Sequence, residues 1–333
     1  MRKTIFSIAL ISAVALMSCE KDETEKNIDE PKENFESLES FFESQEVESV
    51  TKTFNTEEGI EFTTDKGTVV TIPANAFTDK NGEIVSGEVD FKIKEVFSTS
   101  DIIFSEIFPI SNGNPLNSGG EFFTEALQGG AALDLADGKD IELEIPAQAE
   151  DPNMELFFAG EEEFMDSVDW GDPMDTVLVW ENDTNDQDWE NEPWGNGFYS
   201  GFTFQDASGT YSINIDQLGW GNIDAFLWVD YFDITFTCTG LEGLNENNLT
   251  VYSIFKDQNT VWPCGEGWGS ISDNVIHETH LADVPMNVLA IAVVDEQLYY
   301  GILDVTPEEG IDYDIVMKTT TSEKLEELIN DLP

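Results

Sequence analysis

Apolar and polar positions alternate along most of this chain with the period of two that marks strands. Val89, Phe91 and Ile93 are separated by Asp90, Lys92 and Lys94, so one face of that segment is apolar and the other wet. Thr68-Val69-Val70-Thr71-Ile72 is β-branched and stops at Pro73. Asp79-Lys80-Asn81-Gly82 then places Asn-Gly where a tight turn needs positive φ. Further strands are predicted at Ile102 to Phe108, Glu121 to Leu127, Ile141 to Ile145, Met154 to Phe158 and Thr176 to Trp180. A second series follows at Tyr211 to Ile215, Tyr231 to Thr239, Leu249 to Phe255, Val288 to Val294 and Leu298 to Val305. In the Tyr231 segment, Phe232, Ile234, Phe236 and Cys238 share one face. Short strands parted by Gly- and Asn-rich turns predict an all-β chain with two β-sandwich-like domains.

Two stretches break the period. Phe35, Leu38 and Phe42 fall at i, i+3 and i+7 with Phe41 beside them, which predicts a short amphipathic helix, docked on the first domain or, as the alternative, formed in isolation. Near the end, Thr320 and Glu323 form a capping box ahead of Leu325, Leu328, Ile329 and Leu332, predicting a short C-terminal helix. The expected organisation is a signal segment over 1–18, an acidic tether over 19–55 and a first sandwich over 56–147. An acidic, Trp-rich connection over 148–199, a second sandwich over 200–319 and the helix over 320–333 complete it.

The start of the chain follows a secretory pattern. Arg2 and Lys3 precede an apolar run from Ile5 to Met17, which is too short to span a bilayer. The run ends in Leu16-Met17-Ser18-Cys19, which resembles the bacterial lipobox, whose cysteine is lipidated and becomes the new N-terminus. The alternative is an ordinary cleaved signal with a chance cysteine. Glu20-Lys21-Asp22-Glu23 resembles the acid-rich tract that directs Bacteroidota lipoproteins to the outside of the outer membrane, the periplasmic face being the alternative.

Charge narrows the function classes. Among 333 residues, 14 Lys+Arg face 69 Asp+Glu, a formal net charge of −55. Nucleic acid is excluded as a partner, because phosphate contacts need cations. Arg2 is the sole arginine and lies in the targeting segment, so the mature chain has no guanidinium to clamp an anionic substrate. Anionic headgroups would repel such a body, so membrane attachment must come from acyl chains.

Gly67-Thr68-Val69-Val70-Thr71-Ile72-Pro73-Ala74-Asn75-Ala76-Phe77, with Asp79-Lys80-Asn81-Gly82 and Val85-Ser86-Gly87-Glu88-Val89, resembles the opening of a ZU5-like β-sandwich. The chain is more similar still to a group of Bacteroidota surface lipoproteins, through Ser111-Asn112-Gly113, Ser118-Gly119-Gly120-Glu121-Phe122 and Met154-Glu155-Leu156-Phe157 leading to Trp170. Leu218-Gly219-Trp220-Gly221-Asn222-Ile223-Asp224 closes the set. The resemblance implies fold and location, not an activity. Some ZU5 domains cut themselves at a His-Phe-Ser element; His277 and His280 lie outside the matching domain, so self-cleavage is not implied.

Candidate chemistry is sparse. Cys238 and Cys264 remain after lipidation and are expected to form a disulfide closing a loop of about 26 residues, worth about 3 kcal/mol; the alternative is two separate buried thiols. His277-Glu278-Thr279-His280 is one residue short of the helical zinc spacing and reads as surface histidines on a loop. Asp183-Thr184-Asn185-Asp186-Gln187-Asp188 alternates oxygen donors as a calcium loop does, but Asp188 and Trp194 stand where an EF-hand needs Gly and Glu. Diffuse calcium binding is the only cofactor expectation. Trp180, Trp189 and Trp194 lie among acids and amides and are candidates for stacking on a sugar ring, against the alternative that tryptophans fill cores. Ser167 and Thr176 sit in Asp-Ser/Thr-apolar triplets open to O-glycosylation. No nucleophile elbow, phosphate loop or Ser-His-Asp set is found, so no catalytic residue and no metal ligand is assigned. The expectation is a lipid-anchored, non-enzymatic envelope protein that binds a protein or glycan or serves as structure. A glycan-binding accessory lipoprotein and a carboxylate-dependent hydrolase are the alternatives.

Overall fold

The structure is a computed structural model and describes residues 33–149, 153–159, 163–164, 167–168, 203–205, 209–227, 229–265, 269–282 and 284–332. From Glu33 onward these belong to one compact unit holding two β-sandwich-like layers of core. Thr176, Trp180, Trp189, Trp194, Cys19 and the 183–188 segment lie outside the described residues.

The first sandwich is built from β1 (Val50–Asn55), β2 (Ile60–Thr63), β3 (Val69–Ile72), β4 (Glu88–Val96), β5 (Asn114–Gln128), β6 (Ile141–Pro146), β7 (Glu155–Phe158), β8 (Thr210–Ile215) and β9 (Gly219–Phe226). One sheet runs β1-β4-β5-β9-β7 and the other runs from Thr203–Gln205 through β8, β6 and β3 to β2, all antiparallel. Alternation does what the sequence predicts. Val89, Phe91 and Ile93 of β4 meet Val70 and Ile72 of β3 and Leu143 and Ile145 of β6 in one core.

The second sandwich comprises β10 (Tyr231–Thr239), β11 (Leu249–Phe255), β12 (Val261–Cys264), β13 (Val275–Ala282), β14 (Met286–Val294), β15 (Gln297–Val305) and β16 (Asp312–Val316). Ser270–Ser272, β13, β10 and β16 form one sheet; β12, β11, β14, β15 and Lys318–Thr319 form the other. β10 and β16 pair in parallel. β14 is apolar at almost every position because both of its faces are covered, one of them meeting α1 (Leu38–Gln45).

Several expectations are corrected. Ile102 to Phe108 is not a strand: α2 occupies Thr99–Ser105. Ser98 Oγ accepts the Asp101 N–H at 3.1 Å while Asp101 Oδ2 accepts the Ser98 N–H at 2.8 Å, so a capping box starts a helix before the apolar run can extend. A short apolar run carries no period of its own to resist this. The N-terminal helix forms and docks, but on the second core. Phe41 and Phe42 are buried there against Phe104 of α2, edge to face, and Ser37 caps α1. Val50–Asn55 is a paired strand rather than the end of a tether. β8 and β9 pair with strands of the first sandwich, so that unit reaches across the expected boundary at residue 200. The last helix, α3 (Ser322–Asn330), is capped by Thr321, not Thr320.

Chain ends of the described body meet at α3. The Glu33 carboxylate accepts the Ser322 N–H at 2.6 Å and the Ser322 hydroxyl at 2.7 Å, placing a negative charge at the positive end of the helix. Phe35 N–H donates to the Glu296 carbonyl at 3.2 Å. Because Phe41 has no exposed surface and joins α1 and α2 to the second core, Phe41→Ala is expected to destabilise the protein by about 3–5 kcal/mol in urea unfolding.

Candidate functional site

The β1-β4-β5-β9-β7 sheet turns Ile223 and Ala225 into its own core; the alternate residues Trp220, Asn222 and Asp224 therefore take the other face. Trp220 on that face packs against the core of the second sandwich, as does Val96 of β4. A loop of the second sandwich is latched onto the same region. Asn259 Nδ2 donates to the carbonyls of Ser118 at 3.1 Å and Phe97 at 3.2 Å. Asn259 N–H donates to Asn117 Oδ1 at 2.9 Å, and the Thr260 hydroxyl donates to the Leu116 carbonyl at 2.7 Å.

At this junction sit two carboxyl groups with no exposed surface, Glu121 of β5 and Asp224 of β9. Strand alternation alone would put Ser118 and Glu121 on opposite faces, since they are three apart. A bulge corrects this: Asn222 pairs with Glu121, Ile223 with Gly120, and Asp224 with Ser118, leaving Gly119 as the extra residue. Only glycine fits there, because a Cβ would lie 2.8 Å from the Tyr211 ring and 2.9 Å from the Ile223 carbonyl. Ser118, Glu121, Asn222 and Asp224 thus converge.

Asn222 Nδ2 bridges the two acids, 2.5 Å from Asp224 Oδ2 and 3.4 Å from Glu121 Oε1. The Ser118 hydroxyl donates to Asn222 Oδ1 at 3.1 Å and accepts the Gly120 N–H at 3.2 Å. Glu121 Oε2 and Asp224 Oδ1 are buried and have no hydrogen-bond partner. The ion pairs among the described residues are Lys66–Asp101, Lys92–Glu125, Lys94–Glu46 and Lys256–Asp304, so neither acid faces a cation. Loss of hydration pushes both carboxyls well above their ordinary range. The neighbouring charges of Asp224 and Asp101 raise Glu121 further, while the nearby Ser118 hydroxyl and the Asn222 amide pull Asp224 part of the way back.

Asp101 also lines a cleft of about 400 Å³ beside the junction, together with Glu48, Asp65, Lys66, Glu95 and Glu326. Lys66 is held there by Asp101 at 2.7 Å and by the Glu95 carbonyl at 2.9 Å. Glu95 is itself buried, its Oε1 accepting from the Thr64 hydroxyl at 2.9 Å; burial raises its carboxyl, and the nearby Thr68 and Thr64 hydroxyls oppose that rise.

The residues singled out from the sequence do not gather at this junction. Cys238 and Cys264 are both buried free thiols, which corrects the expected disulfide. They lie on β10 and β12, in opposite sheets of the sandwich. Cys264 Sγ instead lies 3.0 Å from Ser253 Oγ. His277 and His280 belong to β13 rather than a loop; His277 is exposed, with Nδ1 3.2 Å from Thr235 Oγ1, and Glu278 is buried, accepting the Gly265 N–H at 2.9 Å. Ser167 is on the short strand Ser167–Val168, paired with Glu163–Phe164. Among the described residues no three His, Cys, Asp or Glu side chains form one metal-binding group. The junction acids were missed because a lone Glu and a lone Asp, about a hundred residues apart, carry no signal in so acidic a chain. The Ser-Gly-Gly-Glu and Asn-x-Asp elements were visible, but their pairing was not.

Comparison of the chain with family profiles, with curated proteins and with solved structures finds no match.

Two measurements check this geometry. The ordinary values of Glu121 and Asp224 are 4.5 and 3.8, and folding raises both, so the unfolded chain releases these protons first as pH increases. The stability they allow is fully present below about pH 4 and is lost as pH rises through their folded values. In chelated buffer the melting temperature is therefore expected to fall from pH 5 to pH 8, and Glu121→Gln with Asp224→Asn to flatten that slope. Burial also pushes the Cys238 thiol up to about 12. Iodoacetamide at pH 8 is expected to label neither Cys238 nor Cys264 in the native protein, and both in the denatured, unreduced chain.

Proposed function

We propose that this chain is a lipid-anchored cell-envelope protein, displayed on the outer membrane, with a binding or structural rather than enzymatic role. The observation that carries the reading is Leu16-Met17-Ser18-Cys19 directly after an apolar run with Arg2 and Lys3 before it. A net charge of −55 supports a covalent acyl anchor, since anionic headgroups repel this body. Among the described residues no helix is long and apolar enough to cross a membrane. The first sandwich carries the segments that resemble ZU5-like surface lipoproteins. The two junction acids have no exposed surface and so do not serve acid–base work on a substrate, which needs carboxyls within its reach.

The test is Cys19→Ala in the native cell. Wild type is expected in the membrane fraction, carrying metabolically incorporated fatty acid and degraded when intact cells are treated with protease. Cys19→Ala is expected to lose the label and leave that fraction. An unlabelled wild-type chain that fractionates with soluble proteins would overturn the proposal, and protease resistance on intact cells would move it to the periplasmic face.

A further inference from the structure

Burying two carboxyl groups with no cationic side chain leaves few stable arrangements. Protonation removes the charge, but each new hydroxyl then needs an acceptor. Glu121 and Asp224 each have one oxygen engaged by the Asn222 amide and one left without a partner. Both open oxygens belong to carboxyls that are joined through the same Asn222 amide. Each buried acceptor without a partner costs about 1–3 kcal/mol, more when charged. A cation at this point would supply the missing charge and occupy the open oxygens together.

We propose that Glu121 and Asp224, with the Asn222 side chain and the Ser118 hydroxyl beside them, form a buried site for one calcium ion between the two sandwiches. The donor set is all oxygen, which selects a hard cation over zinc or copper. Calcium is favoured over magnesium, because magnesium keeps several waters and this junction is sealed, whereas calcium accepts bidentate carboxylates in irregular geometry. Rotation of the Asn222 amide by half a turn would exchange its nitrogen for its oxygen and turn a third oxygen toward the two acids. Ser118, which now orients that amide, would hold it in place. The site is distinct from the acidic 183–188 segment and rests on different residues.

The experiment uses the full-length protein in detergent, stripped with EDTA and exchanged into a high concentration of potassium chloride so that weak surface binding is screened. Calcium chloride is titrated by calorimetry, and melting temperature is followed in parallel. Wild type is expected to bind one calcium more than the Glu121→Gln/Asp224→Asn variant and to melt higher in calcium, while the variant's melting temperature ignores it. Ser118→Ala keeps both acids and guards against failure of the double variant to fold. Its calcium affinity is expected to be about 10–100-fold weaker. The proposal is overturned if wild type binds no more calcium than the double variant, if its melting temperature is unmoved by calcium, or if Ser118→Ala binds as tightly as wild type.

Discussion

Charge without water is the constraint around which this molecule is organised. The surface can carry a large excess of acid because solvent and counterions screen it, but the junction between the sandwiches cannot. There Glu121 and Asp224 are enclosed, sharing one amide, with the Asn259 loop latched over the neighbouring backbone. The bulge at Gly119 exists to make that enclosure possible, since without the extra residue Ser118 would face away. The two sandwiches therefore meet through a seam that is polar and geometrically demanding at Glu121 and Asp224 and apolar where Val96 and Trp220 pack on the second core. Such a seam fixes one relative placement of the units, at a cost in stability that an apolar seam would not carry.

Much of the fold was legible and the site was not, for related reasons. Strands such as Val69–Ile72, Glu88–Val96 and Tyr231–Thr239 announce themselves because alternation is local: each residue's fate depends on its immediate neighbours. The Thr99–Ser105 helix is not legible in its apolar run because its deciding signal is a cap at Ser98 and Asp101. Domain boundaries are hidden because pairing is non-local. Nothing within Thr210–Ile215 says that its partner is Ile141–Pro146 rather than a later strand. The same non-locality hides the junction, which needs Ser118, Glu121, Asn222 and Asp224 brought together across a hundred residues and a bulge.

The helices make the two cores interdependent. Phe41 and Phe42, from before the first strand, and Ile102, Ile103 and Phe104, from the middle of the first sandwich, all enter the core of the second. The second sandwich cannot be complete without chain that precedes it, and removal of either half would expose apolar surface on the other. Cooperative unfolding of both sandwiches as a unit follows from this sharing.

Glu33 closes on Ser322, and Phe35 on the turn at Glu296, so the earliest described residues are fastened to the latest ones. If the chain is held from its N-terminal side, any pull enters the body at this clasp. The load then falls first on α3 and on the aromatic packing of α1, and only afterwards on the hydrogen-bond ladders of the sheets. Mechanical failure would begin by unbuckling a helix, which can be refastened, before any strand is torn from its neighbour.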